Sequence, residues 1–484
     1  MRPILLLPLS LLFLLACQPA MQPGGVVVIP SATPTSIPLP YPTRPVYSPG
    51  ELVDYVAQDG DTLTALAARF NTTVEQILQA NPFIPNQATT MPPGMPMKIP
   101  IYYKPLWGTP YQSLPDIAFV NGPADRGFNT SAFVRSHPGW LKDFRDYVAG
   151  SWRDGAGIVE QIATDFSISP RLLLAILEYQ GRALSDPNLP QTGGYTLGYK
   201  DVLHRGVYLQ LVWAANTLNH GYYGWRSGQL IEFELLDGRI YRPDPWQNAA
   251  SVALQYYFSR ILPEPAFSQA IGPNGLARTY QRLFGDPWAQ KQVLIPGSLS
   301  QPPLRLPFPP GRRWAYTGGP HTGWGSGFPW AALDFAPPAP VRGCALPDPQ
   351  DYAVAVADGI VVRSGLNGLV LDLDGDGDER TGWTIFYLHL ALEGRATVGQ
   401  VLHAGEKIGY PSCESGRVTG THVHIARKYN GEWILADGPL AFNLDGWIAR
   451  NGARPYQGFL IRAGEVVNAS EYAEGFSQIL AQNP

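Results

Sequence analysis

The chain has 484 residues, 45% of them apolar, with 35 Lys and Arg against 39 Asp and Glu for a formal net charge of -4. That length exceeds what a single hydrophobic core usually serves, so several domains are expected. The small charge comes without basic runs, which excludes nucleic acid as a partner.

Met1 to Ala16 carries one positive charge, Arg2, and then an apolar run from Ile4 to Leu15 interrupted by Pro8 and Ser10. It is too short to span a bilayer and reads as a secretory leader over residues 1–16. Leu14-Leu15-Ala16-Cys17 resembles the bacterial lipobox, which implies cleavage before Cys17 and a lipid on it. An ordinary leader with an accidental Cys is the alternative. The expected address is the extracytoplasmic cell envelope, with a membrane anchor through Cys17. Residues 17–50 are rich in Pro, Ser and Thr with almost no charge, and read as an extended tether.

Residues 51–103 have a β-α-α-β rhythm. Asp61 or Thr62 stands as an N-cap before Leu63, Leu66, Ala67 and Phe70, and a second helix near 74–80 ends at Asn81-Pro82. From Tyr55-Val-Ala-Gln-Asp-Gly-Asp-Thr-Leu63 to Pro93-Gly-Met-Pro-Met-Lys-Ile-Pro100, the module is similar to a LysM domain. The resemblance implies binding of N-acetylglucosamine-containing glycan in a groove formed by Gly60, Asp61, Thr62, Leu63, Asn81, Pro82, Phe83 and Ile84.

Residues 116–292 read as an all-α domain, with periodic segments near 156–166, 171–179, 208–218 and 246–261. The run Ile158 to Gly181 resembles the first part of lysozyme-like lytic transglycosylases. That family's catalytic Glu falls at Gln180 here, and Glu178 is the displaced candidate for a general acid in a cleft lined by Tyr179, Tyr195, Tyr199, Trp213 and Tyr222. A glycan-positioning relic without catalysis is the other reading. A Pro-rich linker, 293–311, closes this part.

The last third holds His321, Asp334, His389, His422 and His424. His422 and His424 flank one apolar residue, so a strand there turns both imidazoles to one face. A hydrolytic zinc site takes three ligands from His and carboxylate and leaves a fourth position for water. A cupin strand would need a Glu soon after, and none comes before Glu432. From Gly311 to Trp433 the ordered phrases Trp-Ala-Ala-Leu-Asp334-Phe, Ala353 to Val362, Phe386-Tyr-Leu-His-Leu390, Val398 to Gly409 and Gly420-Thr-His-Val-His-Ile-Ala426 resemble the lysostaphin-type (LytM) zinc endopeptidases, nearest their beta-lytic branch. The wider family places its first His four residues before the Asp, where this chain has Trp330. The beta-lytic branch places it about a dozen residues upstream, as His321 stands here.

The resemblance implies a mainly antiparallel β domain, of duplicated hybrid motif type, over 312–460, with a tail at 461–484. It implies Zn2+ on His321, Asp334 and His424. His389 and His422 would stay off the metal, orienting water or stabilising the oxyanion, with the division between them open. The implied partner is peptidoglycan and the implied reaction is cleavage of its peptide stems or cross-bridges. A non-catalytic activator of another wall hydrolase and glycan cleavage by the middle domain are the alternatives. With Cys17 lipidated, Cys344 and Cys413 are left as a disulfide pair in an exported domain, or as two free thiols. Asp372 to Glu379 invites a calcium reading, but position twelve is Trp383, and an Asp/Gly-rich hairpin explains the same residues. Oligomeric state is not legible.

Overall fold

The computed structural model describes residues 44–105, 107–338, 343–345, 347–416 and 418–482. The expected leader and Cys17 lie outside them. No helix among the described residues is long and apolar enough to cross a membrane.

The first module pairs β1 (Glu51–Val56) with β2 (Pro96–Ile101) in antiparallel register around α1 (Leu63–Arg69) and α2 (Val74–Ala80). Thr62 and Thr73 cap the two helices, each accepting a backbone N–H from three residues on. Arg44 departs from the expectation of a free tether as far as residue 50. It pairs with Asp244 at 2.7 Å and lies over the Trp246 ring.

Four main helices build the middle: α3 (Gly155–Phe166), α4 (Pro170–Gly181), α5 (Val207–Ser227) and α6 (Ala249–Ser259). Their apolar periodicity is what the sequence shows, but two short hairpins, Arg145–Val148 with Ser151–Asp154 and Phe233–Glu234 with Ile240–Tyr241, correct the all-α expectation. Helix α6 also starts three residues later than its periodicity suggests. Trp246 is drawn out of it to donate to the Asp54 carbonyl and to pack on Phe70 of the first module.

The last part is an antiparallel sheet built from β3 (Arg313–Thr322), β4 (Trp330–Ala336), β5 (Gly359–Gly365), β6 (Gly368–Asp372), β7 (Trp383–Leu388), β8 (Val401–Leu402), β9 (Val423–Tyr429), β10 (Glu432–Trp433) and β11 (Gln478–Leu480). Its path runs β8-β5-β6-β7-β9-β4-β3-β11, with β10 folded back on β9. The expected tail at 461–484 is therefore not a tail. Its apolar Ile479 is buried, and β11 closes the outer edge of β3.

Both faces of the sheet are covered. Leu333, Phe335, Ile385, Tyr387 and Ile425 pack with Trp314 and Tyr316 in the domain's own core. On the opposite face, Ala332, Phe386, Leu388, Ala426 and Trp433 are continuous with the helical core of α3 to α6. The Pro-rich segment 293–311 is likewise no free linker, since Leu304, Leu306 and Phe308 are buried and the Pro296 carbonyl accepts from Thr90. First module, helices and sheet form one compact unit.

The join is polar as well as apolar. Arg226 of α5 donates to Glu432 of β10 at 2.9 and 3.1 Å, faces Asp116 at 3.2 Å and bonds the Asp59 carbonyl of the first module. Tyr222 adds its hydroxyl to Glu432 at 2.9 Å. All four of the residues Arg226, Glu432, Asp116 and Tyr222 are buried, so each charge depends on the others for compensation.

Candidate metal centre

Sheet register assembles the site. Asp334 on β4 and His424 on β9 are directly paired neighbours on the face turned toward the helices. His321 enters from β3, whose Gly318 lies opposite Asp334. A Cβ on Gly318 would stand 2.4 Å from a carboxylate oxygen of Asp334, so the glycine is what lets that carboxylate lie flat on the neighbouring strand. Trp330 takes no part; it stacks on Phe328 at the end of the Gly-rich excursion.

His321, Asp334 and His424 each present one ligand atom to a common point, and all three are buried. His321 Nε2 is 3.1 Å from His424 Nδ1, and both nitrogens are 3.3 Å from Asp334 Oδ1. The other ring nitrogens are committed to carbonyls, His321 Nδ1 to Gly319 at 2.8 Å and His424 Nε2 to Gly323 at 3.1 Å. A carbonyl only accepts, so in neutral rings the hydrogens sit there and the facing nitrogens are bare. Asp334 Oδ1 accordingly has no hydrogen-bond donor although it is buried. In that tautomer three lone pairs meet at one point, a donor set that fits a bound cation. Zinc–nitrogen bonds of about 2.0–2.1 Å in a tetrahedron put ligand atoms about 3.4 Å apart, close to the spacing here.

His389 and His422 stand beside this trio with ring centroids 4.6 Å apart. His422 Nε2 is 3.8 Å from Asp334 Oδ1, and its Nδ1 is held by the Gly420 carbonyl at 2.8 Å. His389 follows the end of β7 in the left-handed region, φ 60°. Burial, with His422 and His424 adding to it, lowers its pKa to about 3, so the ring is neutral. Burial also lowers His424. Burial alone would raise Asp334, but His321 and His422 beside it hold the carboxyl well below its usual range.

Sequence reasoning missed Tyr456. Its ring stacks on His321 at 4.1 Å while 54% of the residue stays exposed, and burial together with the Asp334 charge keeps its phenol protonated. No motif marks it, because it reaches the site from a loop beyond the family-like strands. The Gly318-Gly319 pair before His321 was a readable signal for close approach to Asp334.

Cys344 and Cys413 are joined in a disulfide. In the Asp-rich turn the carboxylates bond the turn's own backbone: Asp372 accepts from Gly377 N at 2.9 Å and Asp376 from Asp378 N at 2.9 Å. These bonds fit the hairpin reading, and Asp372, Asp374 and Asp376 also bring one carboxylate oxygen each within 4.8 Å of one another.

Of the glycan-groove candidates, Asp61 is buried in an ion pair with Arg69 at 2.7 Å, and Asn81 bonds Ile77 and Lys98 backbone. Leu63 and Ile84 are core, and Gly60 lies against the Arg226 guanidinium. Pro82 and Phe83 remain exposed, and Thr62 is half-buried.

In the helical part, Glu178 does not face a cleft. It is buried, accepting from Leu184 N at 2.9 Å with Arg282 3.4 Å away, while Gln180 bonds Leu197 and Tyr257. Tyr222, expected in that cleft, is fully buried at the Glu432 junction.

The LysM domain model matches residues 55–100, and the model for the LasA N-terminal domain matches residues 112–296. The helical segment thus matches the LasA N-terminal domain, and the lysozyme-like expectation finds no support in that match. Protease LasA of Pseudomonas aeruginosa strain UCBPP-PA14 is 28% identical over 357 residues, covering 67% of this chain and 75% of that protein; the strain PAO1 protein is 27% identical over the same length. Among solved structures, the metalloprotease pseudoalterin is similar at 22% identity and a TM-score of 0.30, over 35% of this chain and 96% of its own. A zinc-containing peptidase from Vibrio cholerae is similar at 22% identity and 0.21, over 30% and 42%.

Proposed function

For this lysostaphin-type (LytM) peptidase with an N-terminal LysM domain, we propose a zinc-dependent endopeptidase that cuts peptide stems or cross-bridges of peptidoglycan. The observation that carries the reading is the buried meeting of His321 Nε2, Asp334 Oδ1 and His424 Nδ1 with no hydrogen left to share. Zinc held by those three atoms would polarise the scissile carbonyl and lower the pKa of its water toward neutrality.

The chain's own groups supply the rest. His389, whose ring stands beside those of His422 and His424, would take a proton from the attacking water or pass it to the leaving amine. His422, the more open of the two off-metal rings, orients that water. The Tyr456 hydroxyl donates to the oxygen on which charge develops. In this reading the LysM domain holds the enzyme on glycan and so raises the local concentration of peptide bonds. Export and attachment through a lipid on Cys17 complete the proposal.

Digestion of purified peptidoglycan by wild type, His424→Ala and Glu178→Ala, with products read by mass spectrometry, tests it. New free amines that vanish with His424→Ala or a chelator, and persist in Glu178→Ala, are the expected result. Wild-type protein with zinc bound and no products refutes the proposal, and sugar-end products lost in Glu178→Ala transfer the activity to the helical segment.

A further inference from the structure

The two cysteines sit in loops that grip the off-metal histidines. Beside Cys413, Ser412 donates its N–H to the His389 carbonyl at 2.7 Å and bridges to His422, while the Glu414 carbonyl accepts from His389 Nδ1 at 3.3 Å. Glu414 is itself fixed, its carboxylate accepting from Leu392 N at 2.8 Å. Beside Cys344, the Gly343 carbonyl accepts from Thr421 N at 3.1 Å and the Ala345 carbonyl from the Thr421 hydroxyl at 2.6 Å. Thr421 directly precedes His422.

The three proposed metal ligands are held by other means: sheet register, Gly318, and the carbonyls of Gly319 and Gly323. His389, in contrast, has left its strand in a left-handed conformation. A non-glycine residue is strained there and persists only where the surroundings over-determine it. The Ser412–Glu414 loop is the surrounding that does so.

We propose that Cys344 and Cys413 are positioning residues for the off-metal pair: their bond locks the His389 loop to the His422 loop, so that opening it impairs turnover while the metal stays bound. The proposal rests on the zinc-peptidase reading and makes the enzyme's rate dependent on the redox state of its surroundings.

The test compares oxidised wild type, wild type reduced with a phosphine and then freed of it, and Cys344→Ser/Cys413→Ser. Zinc content and chelator competition report the metal. kcat and KM on a soluble peptidoglycan-derived peptide report turnover, and imidazole 15N signals in zinc-loaded protein report the rings. With the bond open, zinc affinity and KM stay as in the oxidised protein, kcat falls about ten- to a hundred-fold, and the His389 and His422 signals broaden while those of His321 and His424 do not. Reoxidation of the reduced wild type restores kcat. In a His389→Ala/His422→Ala background, opening the bond has no further effect. Unchanged kcat with the bond open overturns the proposal, as does zinc lost together with activity. If oxidised wild type binds zinc but cuts nothing, the peptidase reading fails on its own, and the ring signals still decide whether the bond positions the two histidines.

Discussion

Gly318→Ala touches no ligand, yet it is expected to disable the site. The added methyl would lie 2.4 Å from one Asp334 carboxylate oxygen and 2.9 Å from its Cγ. A carbon–oxygen contact settles at about 3.3 Å, so something must yield by roughly 0.9 Å. The Asp334 backbone is poorly placed to do so, because β4 is bonded on both sides, to β3 and to β9. Neither does Gly318 require a conformation closed to alanine, since its φ is not positive. The carboxylate is therefore what moves, away from ring nitrogens now 3.3 Å from Oδ1. Misplacement of about 1 Å costs on the order of a hundred-fold in rate, and overpacking costs about 1–3 kcal/mol in stability. Chelator competition for zinc, kcat/KM on a peptide substrate and a urea titration on the same preparation check all three. Gly318→Ala protein with wild-type zinc affinity and turnover would refute the claim that this glycine seats the carboxylate.

Arg226→Met is expected to lose about 3–5 kcal/mol of stability by stranding Glu432 and Asp116; combined with Glu432→Leu the loss falls well short of the sum, and additive urea midpoints would show that the pair is not coupled. Burial raises Asp125 to about 7 despite Arg171 nearby, so the stability it confers is full below the unfolded value of 3.8 and is lost as pH rises through 7. Asp125→Asn removes that dependence, worth up to about 4 kcal/mol; urea midpoints of wild type and variant that move in parallel between pH 4 and 8 would contradict it. Phe83→Ala, at a side chain 62% exposed, is expected to weaken pull-down on purified glycan by several-fold with no change in melting temperature; unchanged retention removes Phe83 from the groove.

The site was readable because its chemistry is written in local phrases. His422-x-His424 obeys a period of two and stands with the Asp334 and His389 phrases in an order that carries a family resemblance, and that resemblance implied the three residues whose ligand atoms the sheet brings together. What stayed hidden lies between segments far apart in sequence. Nothing in the phrase around Glu432 names its partner, Arg226, which α5 brings to it across 206 residues. Phe386, Leu388 and Ala426 gave one signal, since Trp383 to Leu388 is nearly continuous in apolar residues rather than alternating, the mark of a strand covered on both faces. That signal says a cover exists without saying that helices α3 to α6 provide it. Glu178 misled for a related reason: a carboxylate near a helix end serves equally well to accept the Leu184 N–H as to do chemistry. The segment 461–484 was too short in each apolar run to stand out as strands.

Closure of β3 by β11 bears on the order in which the molecule can be completed. The two strands begin at residues 313 and 478, so the pairing joins the start of the sheet to a segment 165 positions later. Pairings that distant form late. A chain being synthesised therefore carries the His321 strand with a bare rim of N–H and C=O groups until Gln478–Leu480 arrives. Such a rim invites strands from other molecules. The few residues from Gln478 to Leu480 act as the seam that ends this exposure, and trimming or burdening them would be felt first as insolubility, ahead of any change at the metal centre.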